Sequence, residues 1–177
     1  MKAALMAFAA SLIILSGCEK IDELTQFNLE YTESVVIPAT PVVNLPISIS
    51  TPDITTNIES QLAAYNTSTD LIEEISLTQF DLTLTAPDTS ELSFFKSVEV
   101  FINAEGLAET RIAWSDNIPD NIGQMLELET TTSDMKQYVL KDAFSLRISV
   151  ETDKAIDPDH EIDIYTKFFV DAKILGQ

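Results

Sequence analysis

From Phe27 onward, apolar residues recur at every second position. Phe27, Leu29, Tyr31, Val35 and Ile37 share one face, and Asn28, Glu30, Thr32 and Ser34 the other, which predicts a half-buried strand. Pro38 to Pro41 breaks the run, and Val43, Leu45, Ile47 and Ile49 resume it. Pro46 inside this second strand predicts a sheet edge or a bulge, because proline donates no ladder hydrogen bond. Thr56-Asn57-Ile58-Glu59 has the spacing of a capping box and predicts a short helix over 58–65, with one more helical turn over 71–74. The strand from Ile75 to Ala86 changes phase: Ile75 and Leu77 point one way, Phe80, Leu82 and Leu84 the other. A bulge near Thr78-Gln79 accounts for this. Phe94 to Ala104 is the next strand, and Glu105-Gly106 turns it into Leu107 to Ser115, where Ile112 and Trp114 are expected on one face. Met125 to Thr131 reads as a weaker strand. Ser133 to Leu140 reads as a second short helix, capped by Ser133 or Asp134. The last two strands have the cleanest alternation: Phe144, Leu146, Ile148 and Val150, then Ile162, Ile164, Thr166, Phe168, Val170, Ala172 and Ile174.

About eight short strands with one apolar face each and two small helices predict an all-β fold. The expected architecture is an antiparallel two-layer β-sandwich, Ig-like or jelly-roll-like, with a small barrel as the alternative.

The segment before the first strand follows another rule. Lys2 is followed by an apolar run of about a dozen residues from Ala3 to Leu15, which is signal-peptide length and too short to span a bilayer. Leu15-Ser16-Gly17-Cys18 then ends on the sole cysteine. That order resembles the lipobox of bacterial lipoproteins, which implies thioether lipidation of Cys18 and cleavage before it. The expected organisation is therefore a lipoprotein signal peptide at 1–17, a lipidated tether at 18–26 and a single β-sandwich domain at 27–177. The implied location is the cell envelope, at the outer membrane.

Charge narrows the partners. The formal net charge is −19, and loss of Lys2 with the signal segment takes it to −20. Lys and Arg are scattered singly, so the chain offers no basic cluster for nucleic acid, and an anionic membrane surface would repel it. The N-terminal lipid is then the expected membrane contact, with envelope proteins or glycans as candidate partners. An apolar fraction of 45% is too high for a disordered acidic tail. With Cys18 lipidated, no thiol is left for a disulfide, so the core alone must carry stability.

Candidate chemistry is sparse. His160 is the sole histidine and falls in the acidic stretch Asp157 to Glu161, which reads as an exposed loop, and no G-x-S-x-G elbow occurs. The four glycines are far apart, which argues against a phosphate-cradling loop. No catalytic residue is assigned, and a non-enzymatic role is expected. Calcium fits the residues better than zinc, for which one histidine and no free thiolate are too few ligands. Asp153, Asp157, Asp159 and Glu161 could supply oxygen ligands, with Asp116 and Asp120 from another loop, although the spacing matches no EF-hand. A solvated acidic hairpin is the plainer reading. Phe101, Tyr165 and Phe169 fall opposite the core phase of their strands. If those strands are neighbours, the three form an aromatic ligand-binding patch on an outer face. Two roles follow: an envelope lipoprotein with a binding or structural function, or a sugar- or calcium-linked binding module beside a nutrient-uptake system.

Phe94-Phe95-Lys96-Ser97-Val98-Glu99-Val100-Phe101-Ile102, then Ala104-Glu105-Gly106-Leu107-Ala108-Glu109 and Ile112-Ala113, carry a family resemblance. The stretch is similar to small uncharacterised all-β lipoproteins of Gram-negative, Bacteroidota-like envelopes, over about residues 75 to 174. These are core positions and one turn, so the resemblance implies an envelope lipoprotein and assigns no functional residue.

Overall fold

The computed structural model describes residues 25–41 and 44–173; the expected signal segment, Cys18, most of the expected tether, Val43 and Ile174 lie outside the described residues. The chain is an antiparallel β-sandwich, and its first sheet is built around the strongest alternation in the sequence. β10 (His160–Ala172) pairs on one side with β1 (Gln26–Ile37), over the full length of β1, and on the other with β4 (Ile72–Ala86), which in turn pairs with β7 (Met125–Glu127). The second sheet runs in the order β2 (Pro46–Ser50), β9 (Ala143–Thr152), β5 (Phe95–Ala104), β6 (Thr110–Ser115) and β8 (Glu129–Thr130), with β3 (Ile54–Thr55) also pairing β9. Setting β3 aside and counting β7 and β8 as one strand leaves eight, in the orders 1-8-3-6 and 2-7-4-5. That is jelly-roll connectivity, which decides among the predicted sandwich types and against the barrel. Pro46 lies on an edge strand, as its missing N–H requires.

The apolar phases meet between the sheets. Tyr31 of β1 and Phe168 of β10 pack edge-on against Phe144 of β9, with ring centroids 5.4 to 6.1 Å apart. Each such buried side chain contributes about 1.5–3 kcal/mol relative to exposure. The phase change in β4 is a bulge: Gln79 faces Lys167 and Leu77 faces Phe168, which leaves Thr78 unpaired. β6 carries a further bulge, which the periodicity does not show. Val100 faces Ala113 and Phe101 faces Arg111, so Ile112 is the extra residue. Ile112 and Ala113 are both buried, and Trp114 turns outward, contrary to the expectation that it shares a face with Ile112.

Other local expectations shift for identifiable reasons. The segment read as one strand over 125–131 changes sheets midway. β7 pairs β4, the Leu128 N–H donates to the Phe80 carbonyl, and β8 then pairs β6. The first helix, α1 (Ile58–Ala64), has no capping box; Asn57 caps it in the left-handed region at φ 48°, without a side-chain bond. Thr56 is buried instead, and its hydroxyl donates to the Lys141 carbonyl at 2.6 Å, fixing the loop before β9. The predicted turn at 71–74 lies earlier, as a 3-10 turn over Thr69–Leu71, because Ile72 already belongs to β4. In α2 (Lys136–Val139), the Asp134 carboxylate accepts the Lys136 N–H at 2.8 Å and also the Ile75 N–H, tying the helix to β4. Among the described residues no helix is long and apolar enough to cross a membrane.

The sandwich has two distinct ends. At one, the start of β1 meets the end of β10, the β5–β6 hairpin and α2; Lys136 Nζ reaches the Glu73 carbonyl, and Tyr138 Oη donates to the Ala108 carbonyl at 2.7 Å. Gln26, the last residue of the expected tether and the first of β1, lies here. At the other, Phe94 packs on His160 with centroids 4.7 Å apart, and Thr40 bridges Ile156. The acidic loop before β10 lies at this far end.

Candidate functional site

The chain has only two arginines and one tryptophan, and all three lie on the outer face of the second sheet. The register places Arg147 of β9 and Arg111 of β6 on either side of Phe101 in β5, in a single row. The Arg147 guanidinium sits over the Phe101 ring, 4.2 Å from its centroid, and forks onto Glu109 through Nε and Nη2, both at 2.7 Å. Arg111 covers the Trp114 ring at 4.6 Å and bonds Glu99 through Nη1 at 2.7 Å. The bulge at Ile112 makes this possible, since it brings Arg111 and Trp114 onto the same face.

The electrostatics are balanced and local. Hydrogen bonds from Arg147 hold the Glu109 carboxyl below the usual carboxylate range, and the same bonds raise the guanidinium. Each arginine has five N–H donors and spends only one or two on its glutamate, so donors remain toward solvent. A bidentate bond and a ring beneath it hold the Arg147 head group in place.

Beside this row lies a groove of about 650 Å³ at the tether end of the sandwich. It runs between the β5–β6 turn and the lead-in to β9. Asn103 and Ser145 are register partners that form its floor on the outer face, one row along from Phe101 and Arg147. Asp53, Glu105, Lys141 and Asp142 line it as well. Gly106, at φ 75°, makes the turn that shapes one wall; a residue bearing Cβ would be strained in that conformation.

The predicted aromatic patch is not assembled. Phe101 is on the second sheet, whereas Tyr165 and Phe169 are on β10 in the first, on the opposite outer side of the sandwich. The premise that these strands are neighbours fails, because jelly-roll connectivity separates β5 from β10. Tyr165 lies in a row with Thr32, Asp81 and Glu127. Desolvation raises its pKa, as do the hydrogen bond to Glu30 and the charges of Glu30 and Asp81. Asp81 is buried, takes the Gln79 amide on Oδ2, and has no partner for Oδ1.

The acidic residues proposed for calcium are spread along the far end. Asp159 Oδ1 accepts the Ala39 N–H at 2.7 Å, and Glu161 is already in β10. Lys154 intervenes and binds Asp120 at 2.8 Å, which depresses the Asp120 carboxyl pKa. Among the described residues, no group of three or more Asp, Glu, His or Cys side chains comes together to hold a metal ion. His160 is not an exposed loop residue. It opens β10 opposite Ile37, is 4% exposed, and its Nδ1 lies 2.7 Å from the Pro158 carbonyl oxygen.

Fold and surface together define an all-β jelly-roll sandwich with a polar groove beside an arginine–aromatic row. No family model and no curated protein matches the chain. Among solved structures, FlhE is similar over 84% of this chain and 98% of its own, at 8% identity and a TM-score of 0.36. A decameric BFDV capsid protein matches over 84% of this chain and 98% of its own, at 11% identity and a TM-score of 0.42. The empty head of turnip yellow mosaic virus matches over 85% and 82%, at 14% identity and a TM-score of 0.30. None of these likenesses bears on what this chain does.

Proposed function

We propose that the chain is a lipid-anchored lipoprotein of the outer membrane with a non-enzymatic binding or structural role. The observation that carries this is Leu15-Ser16-Gly17-Cys18 placed directly after the apolar run. β1 begins at Gln26, so a tether from Cys18 has about nine residues and at most about 30 Å of reach. The domain would stand close to the lipid surface, with the tether end of the sandwich turned toward it. Support for the non-enzymatic reading comes from His160, whose ring is taken up in packing against Phe94 and in its contact with Pro158. A nucleophile needs an adjacent base, and that imidazole is enclosed at the far end.

Detergent phase partitioning of the full chain, expressed in a Gram-negative host, tests the anchor. Mature wild type should enter the detergent phase and fractionate with outer membranes, while Cys18→Ala should remain unprocessed and unlipidated. Mature wild type in the aqueous phase would overturn the proposal.

A further inference from the structure

We infer that the groove at the tether end, together with the Arg147–Phe101 row beside it, binds a neutral oligosaccharide. This rests on the proposed binding role and gives it a site and a ligand class.

Space is the first consideration. About 650 Å³ lies within the roughly 300–1,000 Å³ usual for small-molecule sites. Charge is the second. Asp53, Glu105 and Asp142 outnumber Lys141 in the lining, so an anionic ligand would be repelled. In the neighbouring row, Arg111 and Arg147 are balanced by Glu99 and Glu109 and supply no net attraction for an anion. A cation could pair with the carboxylates, but the Lys141 ammonium would oppose it, and it would make no use of the Asn103 amide N–H or the spare Arg147 N–H groups. A sugar hydroxyl both donates and accepts, so a neutral polyol satisfies carboxylates, amide, ammonium and guanidinium together.

Geometry is the third consideration. The Asn103–Ser145 and Phe101–Arg147 rows are two residues apart on each strand, which is roughly 7 Å, about the width of one sugar ring. A chain of sugars lying in the groove would therefore place one ring against Asn103 and Ser145 and the next beside the Arg147 guanidinium, whose spare N–H groups can donate to its hydroxyls. Glu109 and Phe101 already immobilise Arg147, so little side-chain freedom is lost on binding.

The test applies the full chain in detergent to an array of neutral, uronate-bearing and amino glycans. Titration calorimetry with the best neutral glycan follows. Neutral glycans should be captured and uronates should not. Asn103→Ala and Asp142→Ala should each weaken binding about tenfold or more, because each leaves a sugar hydroxyl unpartnered. Both side chains are exposed, and unchanged circular dichroism spectra and melting temperatures would show that the fold is intact. Lys154→Ala, at the far end, should bind as wild type does. Failure to capture any neutral glycan, capture of charged glycans alone, or wild-type affinity in both groove variants would overturn the inference. A blank array with normal detergent partitioning would remove the ligand class and leave the anchor standing.

Discussion

At the scale of single residues, Tyr31 gives the sharpest prediction. Its ring is buried between Phe144 and Phe168, and its hydroxyl has no hydrogen-bond partner. Burial pushes its pKa up to about 12, with Gln61 the one polar group opposing the shift. An unfolded tyrosine titrates near 10, so this phenol contributes stability that is fully present below about pH 10 and is lost as pH rises toward 12. Tyr31→Phe gives up at most a weak contact with Gln61 and should lie within about 1 kcal/mol of wild type at pH 7. By pH 11.5 the variant should be ahead by about 2 kcal/mol, because the unfolded wild type gains an ionisation that the variant lacks. Urea unfolding at the two pH values measures this, and a constant difference between the proteins would refute it. Residue-level signals in the sequence were mixed. His160 shares the even-numbered phase of Ile162 and Ile164, so its burial was legible; its acidic neighbours hid it. Trp114 was not legible, since one inserted residue at Ile112 reverses the face of everything after it, and nothing local marks that insertion.

Among the elements, β1 carries a device that the apolar pattern nearly conceals. Its inward positions run Phe27, Leu29, Tyr31, Glu33, Val35 and Ile37, with the half-buried Glu33 opposite Ile164. Among the described residues β1 is an edge strand, twelve residues long. Long edges invite pairing with another chain, and an inward-pointing charge discourages it, because a second strand laid along the edge would have to enclose that carboxylate. Glu33→Val should fold at least as stably and associate more. Sedimentation should give a higher weight-average mass than wild type at equal concentration, and equal masses would show that Glu33 guards nothing. Strand existence and the Thr78 bulge could be read from periodicity, because a buried face leaves a period of two in the sequence. The change of sheet at Leu128 could not, since β7 and β8 together present an ordinary alternation. The neighbours of each strand were equally hidden. Phase along the chain therefore groups Phe101 with Tyr165 and Phe169, and it does not reveal the Arg147–Phe101–Arg111 row, which three separate strands make. Two lone arginines at outward phase in an acidic chain were the signal available.

For the whole molecule, the net charge of −19 sets the response to salt. Self-repulsion over an acidic surface is screened within about 8 Å at physiological ionic strength, so the melting temperature should climb as salt is raised from about 10 to 150 mM. Asp153, Asp157, Asp159 and Glu161 form no ion-sized cage, and sodium, magnesium and calcium chlorides at matched ionic strength should therefore give the same curve. A rise specific to calcium would reinstate the acidic loop as a site. The segment from Met125 to Thr130 has a different consequence. It is the last strand of one sheet and the last strand of the other, joined at Leu128. Two stacked sheets held only by their cores could slide or splay apart like the covers of a book. Here one short ribbon is stitched into both covers along the same margin, so any loosening of one margin pulls on the other. The sandwich is thereby given a spine, and its two layers should breathe together or not at all.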